Sequence, residues 1–174
     1  MNDLNREENF AAFVEKKTEY YLSKWDIFEN SSEKISWNWA AFFFSAYWMI
    51  YRKMYIPAVL VFTGTRIFKY IIALGGGKSY RLTTLIVSAA IGLLGNWIYY
   101  VYASRKIADV ADTAGTDDPS VIGRTLRDIG GTSWLWVFGL MIIGNVVDKI
   151  LTSVLAGRAV TLDHFDEDTF WDII

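Results

Sequence analysis

The sequence predicts an all-α integral membrane protein: an N-terminal amphipathic surface helix, a short aromatic helix that is re-entrant or spanning, then three transmembrane helices. Three observations carry this. Residues 82–104 form a run of 23 without a charge, which as a helix covers about 34 Å against a hydrocarbon core of ~30 Å. Trp37 to Tyr51 holds fifteen uncharged residues, eight of them aromatic. The chain also carries eight Trp and ten Tyr, residues that favour the headgroup layer because an apolar ring there meets a partner for its N–H or O–H.

Residues 1–36 are polar in character. The opening MNDLNREENF is acidic, unlike the basic and then apolar start of a signal peptide. Phe10, Phe13, Val14, Tyr21, Trp25 and Phe28 recur at helical steps and share one face, opposite Glu7, Glu8, Glu15 and Glu19. Such a helix lies on a membrane surface or packs on the rest of the protein. Asn30-Ser31-Ser32 reads as a break, with Ser32 capping the next helix.

The aromatic run 37–51 covers only about 22 Å as a helix. It therefore spans with help from Tyr55 or dips in and returns. Residues 54–74 are the next apolar segment, with Pro57 in a first turn and Arg66 and Lys69 on one face. Gly75-Gly76-Gly77 ends it, with Lys78 and Arg81 just beyond. Run 82–104 brings small residues (Ser88, Ala89, Gly92, Gly95) that let a neighbour approach. Trp97, Tyr99, Tyr100 and Tyr102 are expected to form its interfacial belt before Arg105 and Lys106. The polar loop 105–131 contains Asp117-Asp118-Pro119-Ser120, where Asp118 or Ser120 opens a short helix. The last span is 132–157, and 158–174 is an acidic tail. The membrane domain is thus 37–157.

Orientation is read from Lys and Arg, which stay in cytoplasmic loops. If 37–51 dips, the cytoplasm holds seven of them up to Lys53 and four in loop 105–131, against Lys78, Arg81 and Arg158 outside. If it crosses fully, eight oppose six. The dipping layout gives the cleaner asymmetry, with a cytoplasmic N-terminus.

Asn38 with the aromatic run, Trp48, and Tyr51-Arg52-Lys53-Met54-Tyr55 resemble the signature of a bacterial membrane family known as domain of unknown function 2628. Gly95-Asn96-Trp97-Ile98-Tyr99-Tyr100 and Gly130-Gly131-Thr132-Ser133 resemble its later elements, in the same order. The similarity runs from about Tyr20 to about Ser133. The family usually carries Gly-Pro within the aromatic run, where Ser45-Ala46 stands here. The resemblance implies a multi-pass protein of a bacterial inner membrane and no particular activity.

Among residues with chemistry, Arg66 and Asp148 fall at matching depths on their helices, and an intramembrane charge costs about 2.5–3.5 kcal/mol without a partner. They are expected to form an ion pair that orients the bundle or, with Lys69, to line a polar path. Arg52 and Lys53 are candidates for lipid-headgroup contact. Asn38 and Asn96 are expected to make interhelical polar contacts. In the tail, Phe165, Phe170 and Trp171 are candidate docking anchors. With no Cys and one His, His164, no metal site or other cofactor is expected. A net charge of −2 gives no reason to expect nucleic acid. No phosphate loop, nucleophile elbow or zinc-protease motif is present. The sequence therefore points to a non-enzymatic accessory or sensor subunit whose partners are the lipid bilayer and other membrane proteins or itself. The alternative is an oligomeric channel or transporter with Arg66, Lys69 and Asp148 along its path.

Overall fold

The computed structural model describes residues 3–74, 80–116 and 118–168, which are mostly helical with no strand among them. The Gly75-Gly76-Gly77 turn, Phe170 and Trp171, and the side chain of Phe165, lie outside that description. The chain divides into two compact units, Met1–Trp134 and Leu135–Ile174. Three stretches are long and apolar enough to cross a membrane: Tyr55–Leu74, Arg81–Thr113 and Pro119–Val154.

The N-terminal amphipathic segment is two helices, α1 (Asp3–Val14) and α2 (Thr18–Asn30). Between them Glu15 and Lys17 both stand at φ 60°, a left-handed conformation uncommon outside glycine. The expected apolar face is nonetheless the buried one: Phe10, Phe13, Val14, Tyr21, Trp25 and Phe28 are all at most 6% exposed. Their rings meet those of residues 97–102, with Trp25 5.3 Å from Tyr99 and Phe28 5.6 Å from Trp97. Packing on the protein is thus what this face does. Each such ring pair adds about 0.5–1.5 kcal/mol beyond area burial. α2 ends at Asn30 as the polar tripeptide predicts, but Ser32 caps nothing, because the next helix starts later.

That next helix is short and broken. α3 (Trp39–Phe44) is capped by Asn38, whose Oδ1 accepts from the Ala41 N–H at 3.0 Å. α4 (Ala46–Tyr51) comes immediately after. Ser45 separates them with φ 46° and ψ −115°, a conformation that suits glycine. The Gly-Pro expected from the resemblance would fit both positions, since proline is favoured at a first helical residue. Ser45→Gly should therefore stabilise the protein by about 1 kcal/mol, the lower end of the strain range for such a residue. Thermal unfolding in detergent measures this. A Tm at or below that of the parent would mean that the serine is not strained.

α5 (Tyr55–Leu74) and α6 (Tyr80–Thr113) form the long pair. Their outward residues are exposed and apolar: Ile56, Leu60, Ile71 and Leu74 on α5, Leu82 and Ile86 on α6. α6 does not stop at the expected boundary near residue 104. It runs 34 residues, about 51 Å, and its second half is covered by α1, α2 and α7 (Pro119–Ile129). This corrects the interfacial belt: Tyr99 is 0% exposed, inside a protein core rather than at a lipid boundary.

Asp118 opens α7, its carboxylate accepting from the Ser120 N–H at 2.8 Å, and Gly130 closes it. The bonds from Ser120 hold the Asp118 carboxyl below its ordinary range. A depressed folded value contributes stability above the ordinary carboxylate pKa and loses it as pH falls through that depressed value. Acidification should thus fray the first turn of α7, seen as lower protection from amide exchange at 121–123 relative to the intrinsic rate at each pH, and Asp118→Asn should flatten that response. An unchanged acid response in Asp118→Asn would assign the fraying to another group. α7 docks on α1, where the Gly131 N–H donates to the Phe13 carbonyl at 2.7 Å. Gly130 has no room for a Cβ, which would meet that same carbonyl oxygen.

In the second unit, α8 (Trp134–Asp168) continues as helix through most of the expected acidic tail. Its outward Leu135, Ile142, Ile143 and Ile150 are more than half exposed.

Candidate functional site: a polar junction beneath an aromatic cap

Asn96 sits on α6 among apolar neighbours and is 0% exposed. A buried carboxamide without partners costs about 1–3 kcal/mol per unmade group. Here both ends of the amide find partners. The Asn96 Oδ1 accepts from Asn38 Nδ2 at 2.8 Å. Its own Nδ2 donates to Ser36 Oγ at 2.8 Å and to the Tyr20 hydroxyl at 3.0 Å. Its backbone carbonyl accepts from Trp25 Nε1 at 3.3 Å. Tyr20 in turn donates to the Trp37 carbonyl at 3.2 Å. Burial raises the Tyr20 hydroxyl above its usual pKa, which keeps that proton in place.

The backbone joins in. The N–H groups of Ser36 and Asn38 donate to the Leu93 and Gly92 carbonyls of α6 at 3.1 and 2.8 Å. Such an approach needs small residues beneath α3. A Cβ on Gly92 would lie 2.9 Å from the Phe42 Cβ, and one on Gly95 would lie 2.8 Å from the Ala41 Cβ. The structure therefore brings Asn38 and Asn96 together with Trp25 of the apolar face, and adds Tyr20 and Ser36, which periodicity alone did not single out. Their signal was chemical: each is a donor or acceptor beside apolar sequence.

Arg52 is the second centre. It is 3% exposed, and its two terminal nitrogens donate to the carbonyls of Val14 at 3.1 Å and Lys16 at 3.0 Å. Its guanidinium lies 4.5 Å from the Tyr21 ring centroid and 5.4 Å from that of Tyr99, where cation–π attraction compensates part of its lost hydration. Headgroup contact is thus corrected for Arg52: a guanidinium enclosed by carbonyls and rings has no face to offer a phosphate. Lys53, at φ 57°, donates to the Asp128 carbonyl at 2.9 Å and accepts from the Tyr102 hydroxyl through its own carbonyl at 3.0 Å. It ties the start of α5 to α6 and α7.

Arg66, Lys69 and Asp148 make other contacts. The Arg66 guanidinium lies 3.5 Å from the Phe62 ring centroid. Lys69 is 5.3 Å from the Tyr70 ring and borders a groove of 320 Å³ between α5 and α6, with Gly64, Thr65 and Thr84. Asp148 belongs to the second unit, where its carbonyl accepts from Thr152. A larger groove of 1020 Å³ lies along α1 and α7, bordered by Glu8, Asn9, Glu15, Ser120 and Arg127. Among the described residues no group of three His, Cys, Asp or Glu stands close enough to hold a metal ion.

Residues 8–105 match the model of a family described as protein of unknown function (DUF2628). No curated protein and no solved structure matches the chain.

Proposed function

We propose a role from geometry, because the chain belongs to the DUF2628 family, whose description assigns no activity: it is a non-enzymatic accessory subunit of a complex in a bacterial inner membrane. One observation carries this reading. The buried polar and charged side chains among the described residues, Asn38, Arg52 and Asn96, all bond inward: Asn38 and Asn96 join α3 to α6, and Arg52 holds the α1–α2 link of the aromatic cap that α1 and α2 form over α6. Among the described residues, the surfaces left open include the apolar flanks of α5, α6 and α8, the outer rings of α3 and the polar groove along α1 and α7. Those are binding surfaces rather than reaction centres.

In this reading α5, α6 and α8 cross the bilayer, and 37–51 dips in and returns. The six-residue lengths of α3 and α4 support that layout, since each covers only about 9 Å. The docking of α1 on α7 also supports it, because in that layout the N-terminal segment and loop 105–131 share one side. The Lys and Arg of that loop support the cytoplasm as that side. The apolar flanks take other membrane proteins or a second copy, and Phe165, Phe170 and Trp171 are docking anchors in the tail.

Purification in mild detergent with mass spectrometry of the co-isolated proteins is the test. A stoichiometric membrane partner is expected, with no ion flux when the purified protein is placed in liposomes. Flux that changes on Arg66→Ala or Asp148→Ala would replace the accessory role with the channel reading. Thiol labelling tests the layout: Ser79→Cys should react with an impermeant reagent in intact cells and Ser120→Cys should not.

A further inference from the structure

The outer edge of α3 is a row of large rings facing away from the protein. Trp39 is 63% exposed, Phe43 67% and Phe44 60%. Trp39 and Phe43 stack at 5.8 Å with an interplanar angle of 20°, so the row is ordered by its own contacts. In water this edge would be strongly unfavourable, since each large apolar side chain is worth about 1.5–3 kcal/mol when removed from it.

The position of the row on α6 identifies what covers it. Where α3 begins, the Asn38 N–H bonds the Gly92 carbonyl, and just after α4 the Lys53 carbonyl bonds Tyr102. Gly92 and Tyr102 are ten residues apart on α6, about 15 Å along its axis. The α3–α4 element thus starts lower on α6 than it ends and returns to the level of the cap. Leu93 and Leu94 beside it are exposed and apolar, as is Ile56 at the start of α5. In the dipping layout that offset of about 15 Å, half of a ~30 Å hydrocarbon core, sets the row within one leaflet.

We infer that Trp39, Phe43 and Phe44 are a wedge among the acyl chains of the cap-side leaflet, and that Asn38 passes the seating of the wedge to the cap, making the protein responsive to lipid packing. This rests on the layout in which 37–51 dips. The linkage is direct. The Asn38 Oδ1 caps α3 and its Nδ2 bonds Asn96; Asn96 also bonds Tyr20 and Trp25 of α2. Gly92 and Gly95 leave no slack between α3 and α6. Displacement of the wedge therefore loads the bonds that hold α2. Loosely packed, unsaturated chains admit the rings; tightly packed, saturated chains with cholesterol resist them.

The test uses the full chain in nanodiscs of dioleoyl phosphatidylcholine, and in nanodiscs of saturated phosphatidylcholine with cholesterol. Amide exchange of residues 18–30 is expected to be about tenfold faster in the second, a difference in local opening free energy. Trp39→Ala/Phe43→Ala/Phe44→Ala should erase that lipid dependence. Asn38→Ala should erase it too while leaving the wedge at its depth. The chain has no Cys, so a spin label at Phe43→Cys reports depth cleanly. Equal exchange in the two lipids, or a dependence that survives the triple substitution, overturns the inference even when the label sits in the cap-side leaflet. A label at the midplane, in the far leaflet or in water overturns the dipping layout as well. A label shielded from lipid by a second copy, shown by label–label coupling, assigns the row to self-association instead.

Discussion

Arg52→Ala should lower stability by about 4 kcal/mol, the sum expected for two hydrogen bonds from a charged donor at about 1.5–3 kcal/mol each less relaxation. The loss should be local first. Arg52 holds the Val14 and Lys16 carbonyls, and the φ 60° turns at Glu15 and Lys17 have no glycine to favour them. Without the guanidinium, the link between α1 and α2 should relax and α1 should lift from α7. Limited trypsin digestion at Lys16 and Lys17 reads this directly, with thermal unfolding in detergent alongside. Arg52→Lys should fall between, because an ammonium keeps the charge near Tyr21 and Tyr99 but loses the planar fork that reaches both carbonyls. A variant Arg52→Ala that melts with the parent and resists trypsin equally would show that the turn holds itself.

Gly95→Val is expected to have the next largest effect, about 3 kcal/mol, at the upper end for inserting bulk into a packed interface. The new Cβ would stand 2.8 Å from the Ala41 Cβ and 3.5 Å from the Trp48 ring. Neither can yield cheaply: Ala41 and Trp48 are 0% and 4% exposed. The clash has a specific partner, so Ala41→Gly should recover part of the loss, and a double-mutant cycle should show coupling beyond simple addition. Additive effects would mean that the destabilisation comes from elsewhere on α6.

Much of this architecture was legible because hydrophobic runs report their own environment. The apolar face of residues 10–28 is buried, and the Asn30-Ser31-Ser32 break and the Asp118 cap are where turn chemistry places them. The α1–α2 break was not legible, because nothing local causes it. It contains neither glycine nor proline, and the residue that holds it is 36 positions away. Arg52 was misread for a related reason. Two basic residues after an aromatic run mark an interface in either case, and sequence does not say that Arg52 turns inward while Lys53 reaches Asp128. Tyr99 illustrates a third limit. Interfacial belts and aromatic cores use the same amphipathic residues, so only the presence of α1 and α2 over it distinguishes them.

The uninterrupted course of α6 has a mechanical consequence. A single rod about 51 Å long is shared between two surroundings, with no proline anywhere in its 34 residues to uncouple them. When bilayer thickness changes, a helix of fixed length adjusts by tilting. In the proposed layout the fulcrum of this rod lies among the lipids and the load is the aromatic cap. A modest change of slope within the hydrocarbon would then swing the helices packed on its second half, α1, α2 and α7, sideways, a lever arm that a helix broken at the headgroups would not possess.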